Sequence, residues 1–441
     1  MESIVYFVKS NCDNRELARN NYMPPLGLMS IANVLRLHGY YVEIIDLSIK
    51  NYSTEDINQI IQRLDPLLIG FSVYTENVDA TFNMCKYFKR RFPHIPIVFG
   101  GPLPALDPSF FMRNRYVDFI SMGDGEQSSL ELVEAFRTKQ ALIKFSDIHG
   151  LIYLDEHKKY QYGKPRRNLE NLNLIPIINR DYIPESYQAL SPTVYSSRGC
   201  PGRCIYCAAP SMSGGKYRIR DIENVFLETL MVTHCCGGPR EIFYIDDTFT
   251  VFRQRVERFV ELCVQSKVPL TWRCESRVDA MVRNGDLLPG MKKAGCKRIQ
   301  FGIESGNQQV LNSIRKQMKL EDARMVIGKT IDSGIPVATS FMFAHYCDTE
   351  ATMTDTLNFM EELKRKYGSM IDVVYGLNTP FPGTYQYDHM EELGMHYTVN
   401  SYAQLDMYGP VIETAQFDTK MQLDFYARAG KLMANNRLEA K

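Results

Sequence analysis

The 441-residue chain has no excess of either charge: Lys and Arg number 51, and so do Asp and Glu. Without a basic surplus it offers no footprint for nucleic acid or for an anionic membrane surface. It also has no apolar run approaching the ~20 residues that cross a bilayer. The start, Met1-Glu2-Ser3-Ile4-Val5-Tyr6, lacks the charged beginning and long apolar core of a secretion signal. Eight of its eleven cysteines (Cys12, Cys85, Cys235, Cys236, Cys263, Cys274, Cys296 and Cys347) show no spacing that suits a metal cluster. In a long chain with no secretion signal, such cysteines are expected to stay reduced, which points to the cytoplasm. A hydrophobic content of 45% is ample for the cores of two or three domains.

The other three cysteines are different. Ser196-Ser197-Arg198-Gly199-Cys200-Pro201-Gly202-Arg203-Cys204-Ile205-Tyr206-Cys207 spaces them C-x3-C-x2-C in a loop punctuated by glycine and proline. The loop follows a short strand signal, Pro192-Thr193-Val194-Tyr195-Ser196. Three thiolates so spaced can wrap a 4Fe-4S cluster, which ordinarily takes four cysteines. The missing fourth ligand leaves one iron open to a reactant. The same residues also suit a zinc site built on C-x2-C, or three core cysteines acting as small hydrophobes.

The stretch resembles the signature of the radical S-adenosylmethionine (SAM) superfamily. That resemblance implies that the open iron holds the amino and carboxylate groups of SAM. One electron from the cluster then cleaves SAM to methionine and a 5′-deoxyadenosyl radical. Cys200, Cys204 and Cys207 become the metal ligands.

Residues 1–140 alternate strands and helices, with strand signals at Ile4–Val8, Tyr41–Asp46, Leu67–Ser72, Ile95–Gly101 and Val117–Ser121. Such alternation predicts a parallel, doubly wound, Rossmann-like sheet with ligands beyond the strands' carboxyl ends. The loops there carry Ser72, Tyr74 and Thr75, Gly100 and Gly101, and Gly123, Gly125 and Glu126. Glycines admit close backbone approach and hydroxyls can bond a nucleotide tail, although tight turns alone would use the same residues. With Pro24-Pro25-Leu26-Gly27-Leu28, these loops resemble the cobalamin (B12)-binding domain found upstream of the radical SAM domain in one large subfamily. That implies a cobalamin site made by the eight loop residues. The D-x-H-x-x-G that supplies a cobalt-ligating histidine in older cobalamin domains is missing. The corresponding loop, Lys9-Ser10-Asn11-Cys12-Asp13-Asn14-Arg15, has no histidine. Any cobalamin would be held without one, or the fold has outlived its cofactor. Residues 141–190 read as a hairpin and a loop-rich linker between domains.

Residues 191–385 show six strand signals with helices between them, a partial (βα)6 barrel whose chemistry belongs on the loops at the strands' carboxyl ends. Those ends carry Asp246-Asp247, Glu275-Ser276-Arg277 and Glu304-Ser305. The resemblance assigns them to SAM: the aspartates to its amine, the others to its ribose hydroxyls and carboxylate. Helix capping is the alternative use of the aspartates. The fifth strand departs from the subfamily's glycine-rich turn and runs Phe343-Ala344-His345-Tyr346-Cys347-Asp348. His345, Tyr346 and Cys347 are therefore the candidate catalytic residues, by proton transfer or hydrogen-atom donation. Alternatively they only rebuild the turn. Residues 386–441 form a small helical tail expected to cover the open side of the barrel.

The expected function is a radical SAM enzyme, in the first instance a cobalamin-dependent methyltransferase acting on an unactivated carbon of a small molecule. The alternative is a radical SAM dehydratase, cyclase or rearrangement enzyme with an empty N-terminal domain. Either would draw its electron from an external donor such as a flavodoxin or ferredoxin.

Overall fold

The computed structural model describes residues 2–8, 23–137, 143–180, 192–235 and 240–438. The chain divides into two compact units, one of residues 1–190 with 212–214, the other of 191–211 with 215–441. Among the described residues no helix is long and apolar enough to cross a membrane. The loop Lys9–Arg15 lies outside the described residues.

In the first unit, β1 (Ser3–Val8), β2 (Tyr41–Asp46), β3 (Leu68–Ser72), β4 (Ile97–Gly100) and β5 (Phe119–Ser121) pair in parallel, and β6 (Leu151–Leu154) and β7 (Tyr160–Tyr162) add antiparallel strands at one edge. The order is β2-β1-β3-β4-β5-β6-β7, so the direction of winding reverses between β1 and β3. The strands read as continuous apolar runs because helices cover the sheet. Ile4, Val5, Leu68, Ile69, Ile97, Phe99 and Ile120 are wholly buried or nearly so. The helix Thr54–Leu64 starts on a capping box, in which Ser53 and Asp56 each satisfy the other's backbone N–H. The residues after the hairpin are fastened to the helix Leu26–Leu37 through Asn33, whose amide donates to Ile177 O at 3.0 Å and accepts from Asn179 N–H at 3.2 Å.

The second unit is built on β8 (Thr193–Val194), β11 (Glu241–Tyr244), β12 (Thr271–Ser276), β13 (Cys296–Glu304), β14 (Val337–Phe343) and β15 (Ile371–Leu377), all parallel and adjacent in chain order. This is the expected open six-stranded barrel. Two short strands, β9 (Ser197–Arg198) and β10 (Arg218–Ile219), pair antiparallel around the cysteine loop. The interior is aromatic on one side: Tyr244, Phe249, Phe259 and Trp272 interlock with ring centroids 5.0–5.8 Å apart. Trp272 Nε1–H reaches Ala294 O at 2.8 Å, so its polar atom is satisfied in the core. The tail is not purely helical. β16 (His396–Tyr397) and β17 (Ile412–Glu413) form a small ladder before the helix Thr419–Leu438. It packs on the edge strand β15, where Leu377 N–H donates to Met407 O at 2.8 Å and Tyr426 meets Tyr375.

Replacing Trp272 by Ala removes the largest side chain of that aromatic cluster, so the expected cost is about 3–5 kcal/mol of stability. Urea unfolding followed by circular dichroism measures it; a change below about 1 kcal/mol would mean that the barrel core is packed otherwise.

Candidate functional site

The cysteine loop is suspended on backbone bonds from two directions. Ile205 N–H donates to Ile314 O at 3.1 Å, and Gln386 N–H donates to Ile205 O at 3.1 Å. Gln386 and Asn378 exchange side-chain hydrogen bonds, and Asn378 Nδ2 also donates to Ala344 O at 3.2 Å. The turn after β14 and the loop after β15 thus share one frame with the loop that carries Cys200, Cys204 and Cys207. All three thiols are partly exposed. Gly202 N–H points at Cys200 Sγ and Ala209 N–H at Cys207 Sγ, each at 3.4 Å. Burial raises the pKa of Cys200 and pushes that of Cys207 up to about 12, so metal-free they keep their protons. Iron must displace those protons. Among the described residues no three His, Cys, Asp or Glu side chains converge as the ligands of a single ion would. A cluster asks for something different, because each thiolate takes its own iron. Partly exposed thiols with backbone N–H groups directed at two sulfurs fit that use.

Arg277 lies beside this loop, its charge acting on Cys200 and Cys204 and its Nε bonded to Asp279 at 2.8 Å. A β-carbon on Gly202 would sit 2.2 Å from Arg277 Nη1, so this glycine makes room for the guanidinium.

The carboxylates expected at the strand ends divide into two sets. Asp246 is buried, and Oδ1 accepts from Ser196 N–H at 2.6 Å and Ser197 N–H at 3.0 Å, while Oδ2 accepts from the Ser196 hydroxyl. These bonds shape the start of the cysteine loop. The buried hydroxyl of Ser305 accepts from Asn307 N–H at 3.1 Å and pairs with Thr356. Ser276 is buried against Thr250. The second set grades from the exposed Asp247 through the half-buried Glu275 to the buried Glu304. Asp247 reaches solvent yet is ringed by protein, and burial followed by the charge of Asp246 raises its pKa. Glu275, half-buried, is pushed up to about 7 by burial and then by the charge of Asp247.

Glu304 closes the set in a strained conformation. Its φ of +74 is unusual for a residue with a side chain, and β13 shifts register against β14 between Gly302 and Glu304. Its Oε1 accepts from Lys316 Nζ at 2.8 Å, with both side chains about one-tenth exposed. The same ammonium donates to Tyr206 Oη at 3.1 Å, inside the Cys204–Cys207 segment. Burial pulls the Lys316 pKa down, but the charges of Glu304 and Cys204 outweigh it and leave the group raised. Sequence reasoning missed Lys316, which lies twelve positions beyond Glu304 with no motif to mark it. It also gave Tyr206 no role.

The ring of His345 is fully enclosed, and burial drives its pKa down to about 3. Tyr346 and Cys347 pack against the barrel core, and burial pushes the Cys347 thiol up to about 11.

In the first unit, the loops after β3 and β4 touch. Val73 N–H donates to Gly100 O at 2.8 Å, and a β-carbon on Gly101 would lie 2.8 Å from Val73 N. Ser72, Thr75, Gly100, Gly101, Gly123 and Gly125 are half-buried along this edge, and Tyr74 is exposed. The hydroxyls of Ser72, Tyr74 and Thr75 along this edge fit a polar cofactor, whereas Gly101, Gly123 and Gly125 make room for the unit's own Val73, Arg166 and Ile31. Glu126 is buried and its Oε1 accepts from Ser30 Oγ at 2.6 Å, tying two helices together.

Comparison with known proteins adds two family models: a B12 binding domain over residues 17–133 and the radical SAM superfamily over residues 194–360. An uncharacterized methyltransferase of Pyrococcus horikoshii is 28% identical, covering 92% of this chain and 88% of that protein. An anaerobic magnesium-protoporphyrin IX monomethyl ester cyclase of Rubrivivax gelatinosus is 25% identical over 96% of this chain and 74% of its own. Among solved structures, the cobalamin-dependent SAM radical enzyme OxsB, with aqua-cobalamin and SAM bound, superposes with a TM-score of 0.79 at 17% identity. That match covers 97% of this chain, which spans 66% of the OxsB chain. The radical SAM methyltransferase TsrM of Kitasatospora setae, with cobalamin and a [4Fe-4S] cluster bound, also gives 0.79, at 16% identity over 98% and 89% of the two chains. At such identities the structural likeness speaks for the fold.

Glu275 yields a pH test. Its folded pKa of about 7 lies above the ordinary carboxylate value of about 4.3, so folding favours the protonated form. The stability it contributes is complete below that ordinary value and is lost as pH rises through about 7. In cluster-free protein, Glu275→Gln is expected to flatten the fall in stability across this window and to exceed the parent's stability near pH ~8. Urea titrations at several pH values check it; parallel curves for the two proteins would refute the assignment.

Proposed function

This chain belongs to the radical SAM superfamily and carries a B12 binding domain ahead of its radical SAM domain; on that premise we propose that it is a cobalamin-dependent methyltransferase acting on an unactivated carbon of a small molecule. The observation that carries the proposal is the pairing, in one chain, of an open-edged doubly wound domain with a barrel whose mouth holds three partly exposed cysteines beside carboxylates. When bound, the cluster supplies the electron that splits SAM, and cobalamin supplies the methyl group.

The residues of this chain do the holding. Cys200, Cys204 and Cys207 would take three irons and leave the fourth to SAM. Arg277 offsets the negative charge that the thiolates bring, as a guanidinium close to anionic sulfur does. SAM arrives with a sulfonium and an ammonium, and Asp247 and Glu275 offer carboxylates to a cation at the rim. Glu304, held by Lys316, offers an oriented carboxylate to hydroxyl groups. In the first unit, Ser72, Tyr74, Thr75, Gly100, Gly101, Gly123 and Gly125 would bed the cobalamin against backbone. Lys9–Arg15 has no histidine, so that loop would supply no imidazole to a bound cobalamin. An external flavodoxin or ferredoxin supplies electrons, and a reducing cytoplasm protects the cluster.

A second reading, a radical SAM cyclase or dehydratase, is favoured by one specific feature. The turn after β14 replaces glycines with Ala344-His345-Tyr346-Cys347 and places Ala344 at a φ of +66. A cyclase of Rubrivivax gelatinosus is also among the long matches.

Anaerobic reconstitution with iron, sulfide and hydroxocobalamin tests both. The expected result is a cluster absorption band that disappears in the Cys200/Cys204/Cys207→Ala triple variant, with one cobalamin retained per chain after gel filtration. Retention of the cluster without cobalamin would remove the methyltransferase reading and leave the cyclase or dehydratase one. Retention of the band in the triple variant would remove both.

A further inference from the structure

Strand β12 has two unlike faces. Trp272 and Cys274 are buried towards the helix layer, where Trp272 meets Phe259 of the helix Arg253–Ser266 at 5.5 Å between ring centroids. Alternate residues of a strand point the other way, so Arg273 and Glu275 lie on the face turned from those helices. On β13 the alternation is broken once. Trp272 pairs with Cys296, but Arg273 pairs with Arg298, which leaves Lys297 as an extra residue in the ladder. This bulge carries Arg298 to the face of Arg273; in unbroken register Lys297 would stand there and Arg298 would turn towards the helices.

Like charges paired across strands work against a sheet, so stability does not account for the bulge. The ion pairs of the two arginines do not account for it either. Arg273 Nε lies 3.2 Å from Glu241 and Arg298 Nη1 lies 3.6 Å from Asp372, and among the described residues neither guanidinium donates a hydrogen bond. The carboxylates are 41% and 67% exposed against 21% and 34% for the arginines, and pairs so open to water add little. Burial and then the charge of Arg298 lower the pKa of Arg273, with Glu241 and Glu275 opposing only in part. The guanidinium carbon of Arg273 rests 3.8 Å from the ring centroid of Phe243, which supports it from the neighbouring strand.

The same face leads to the cysteine loop. Gln300 is the register partner of Glu275, and its side chain makes no hydrogen bond among the described residues. Next along β13, the space over Gly302 is filled by the Glu304 carboxylate and the Lys316 ammonium, the group that reaches Tyr206. Four residues separate Arg298 from Gly302, about 13 Å of extended strand. Two adjacent guanidiniums with uncommitted N–H groups match the forked geometry of an oxyanion, which would satisfy the donors and cancel the repulsion together.

We propose that Arg273 and Arg298 anchor an oxyanion of the substrate, a carboxylate or a phosphate, with the rest of the molecule running past Gln300 towards Glu275 and the cysteine loop. The assignment rests on the small-molecule enzyme reading of this barrel and deepens it by naming the substrate class.

Titration calorimetry of cluster-loaded full-length protein at fixed ionic strength tests it, with inorganic phosphate and acetate as probes. At least one is expected to bind the parent: phosphate alone marks a phosphorylated substrate, acetate alone a carboxylic acid, and both together the shared oxyanion chemistry. Arg273→Gln and Arg298→Gln are each expected to lose about tenfold or more in affinity for the probe that binds. Arg253→Gln, which removes an exposed guanidinium paired with Asp286, is expected to bind as the parent does. Absence of binding of both probes to the parent overturns the assignment, as does equal affinity in Arg298→Gln and the parent, or an equal loss in Arg253→Gln. Should Arg273→Gln not fold, because it uncovers Phe243, Arg298→Gln decides alone. Absence of cobalamin or of SAM cleavage in the parent strikes the methyltransferase reading alone, since the oxyanion titration reads neither.

Discussion

Lys316 is the hinge of the second unit's chemistry. One ammonium, about one-tenth exposed, joins the carboxylate of Glu304 at the end of β13 to the hydroxyl of Tyr206 in the cysteine loop. Breaking a buried pair on one side leaves the other charge stranded, at a cost of about 3–5 kcal/mol. The pair therefore stabilises the fold little by its mere presence, but it strongly penalises any arrangement in which β13 and the cysteine loop separate. Glu304 tolerates a positive φ because the register shift beside it and the ammonium in front of it leave no better alternative.

Desolvation sets the rest of the site's electrostatics. It keeps protons on Cys200 and Cys207 until iron replaces them, raises Asp247 and Glu275, and strips the proton from His345. The result is a mouth whose groups wait for cationic or metallic partners.

Much of this was readable along the chain. The parallel strands of both units follow from runs such as Ile4–Val8 and Lys297–Glu304, since a sheet covered on both faces demands continuous apolar residues. The cysteine loop was readable because cluster ligation imposes a local spacing. Functional direction was less legible. Asp246 and Asp247 are neighbours of the same type, yet one turns into the loop's backbone and the other is exposed. Glu126 and Ser305 went the same way as Asp246: each found an internal donor that no one-dimensional pattern displays.

Residue order by itself determined the two α/β units, the C-x3-C-x2-C loop and the family it signals, because these depend on periodicity and short-range spacing. Tertiary structure alone decided which carboxylates are buried, that Lys316 would meet Tyr206 across 110 positions, and that His345 would be enclosed. Those outcomes depend on desolvation and on partners contributed by other strands. Neither quantity exists until the chain has folded.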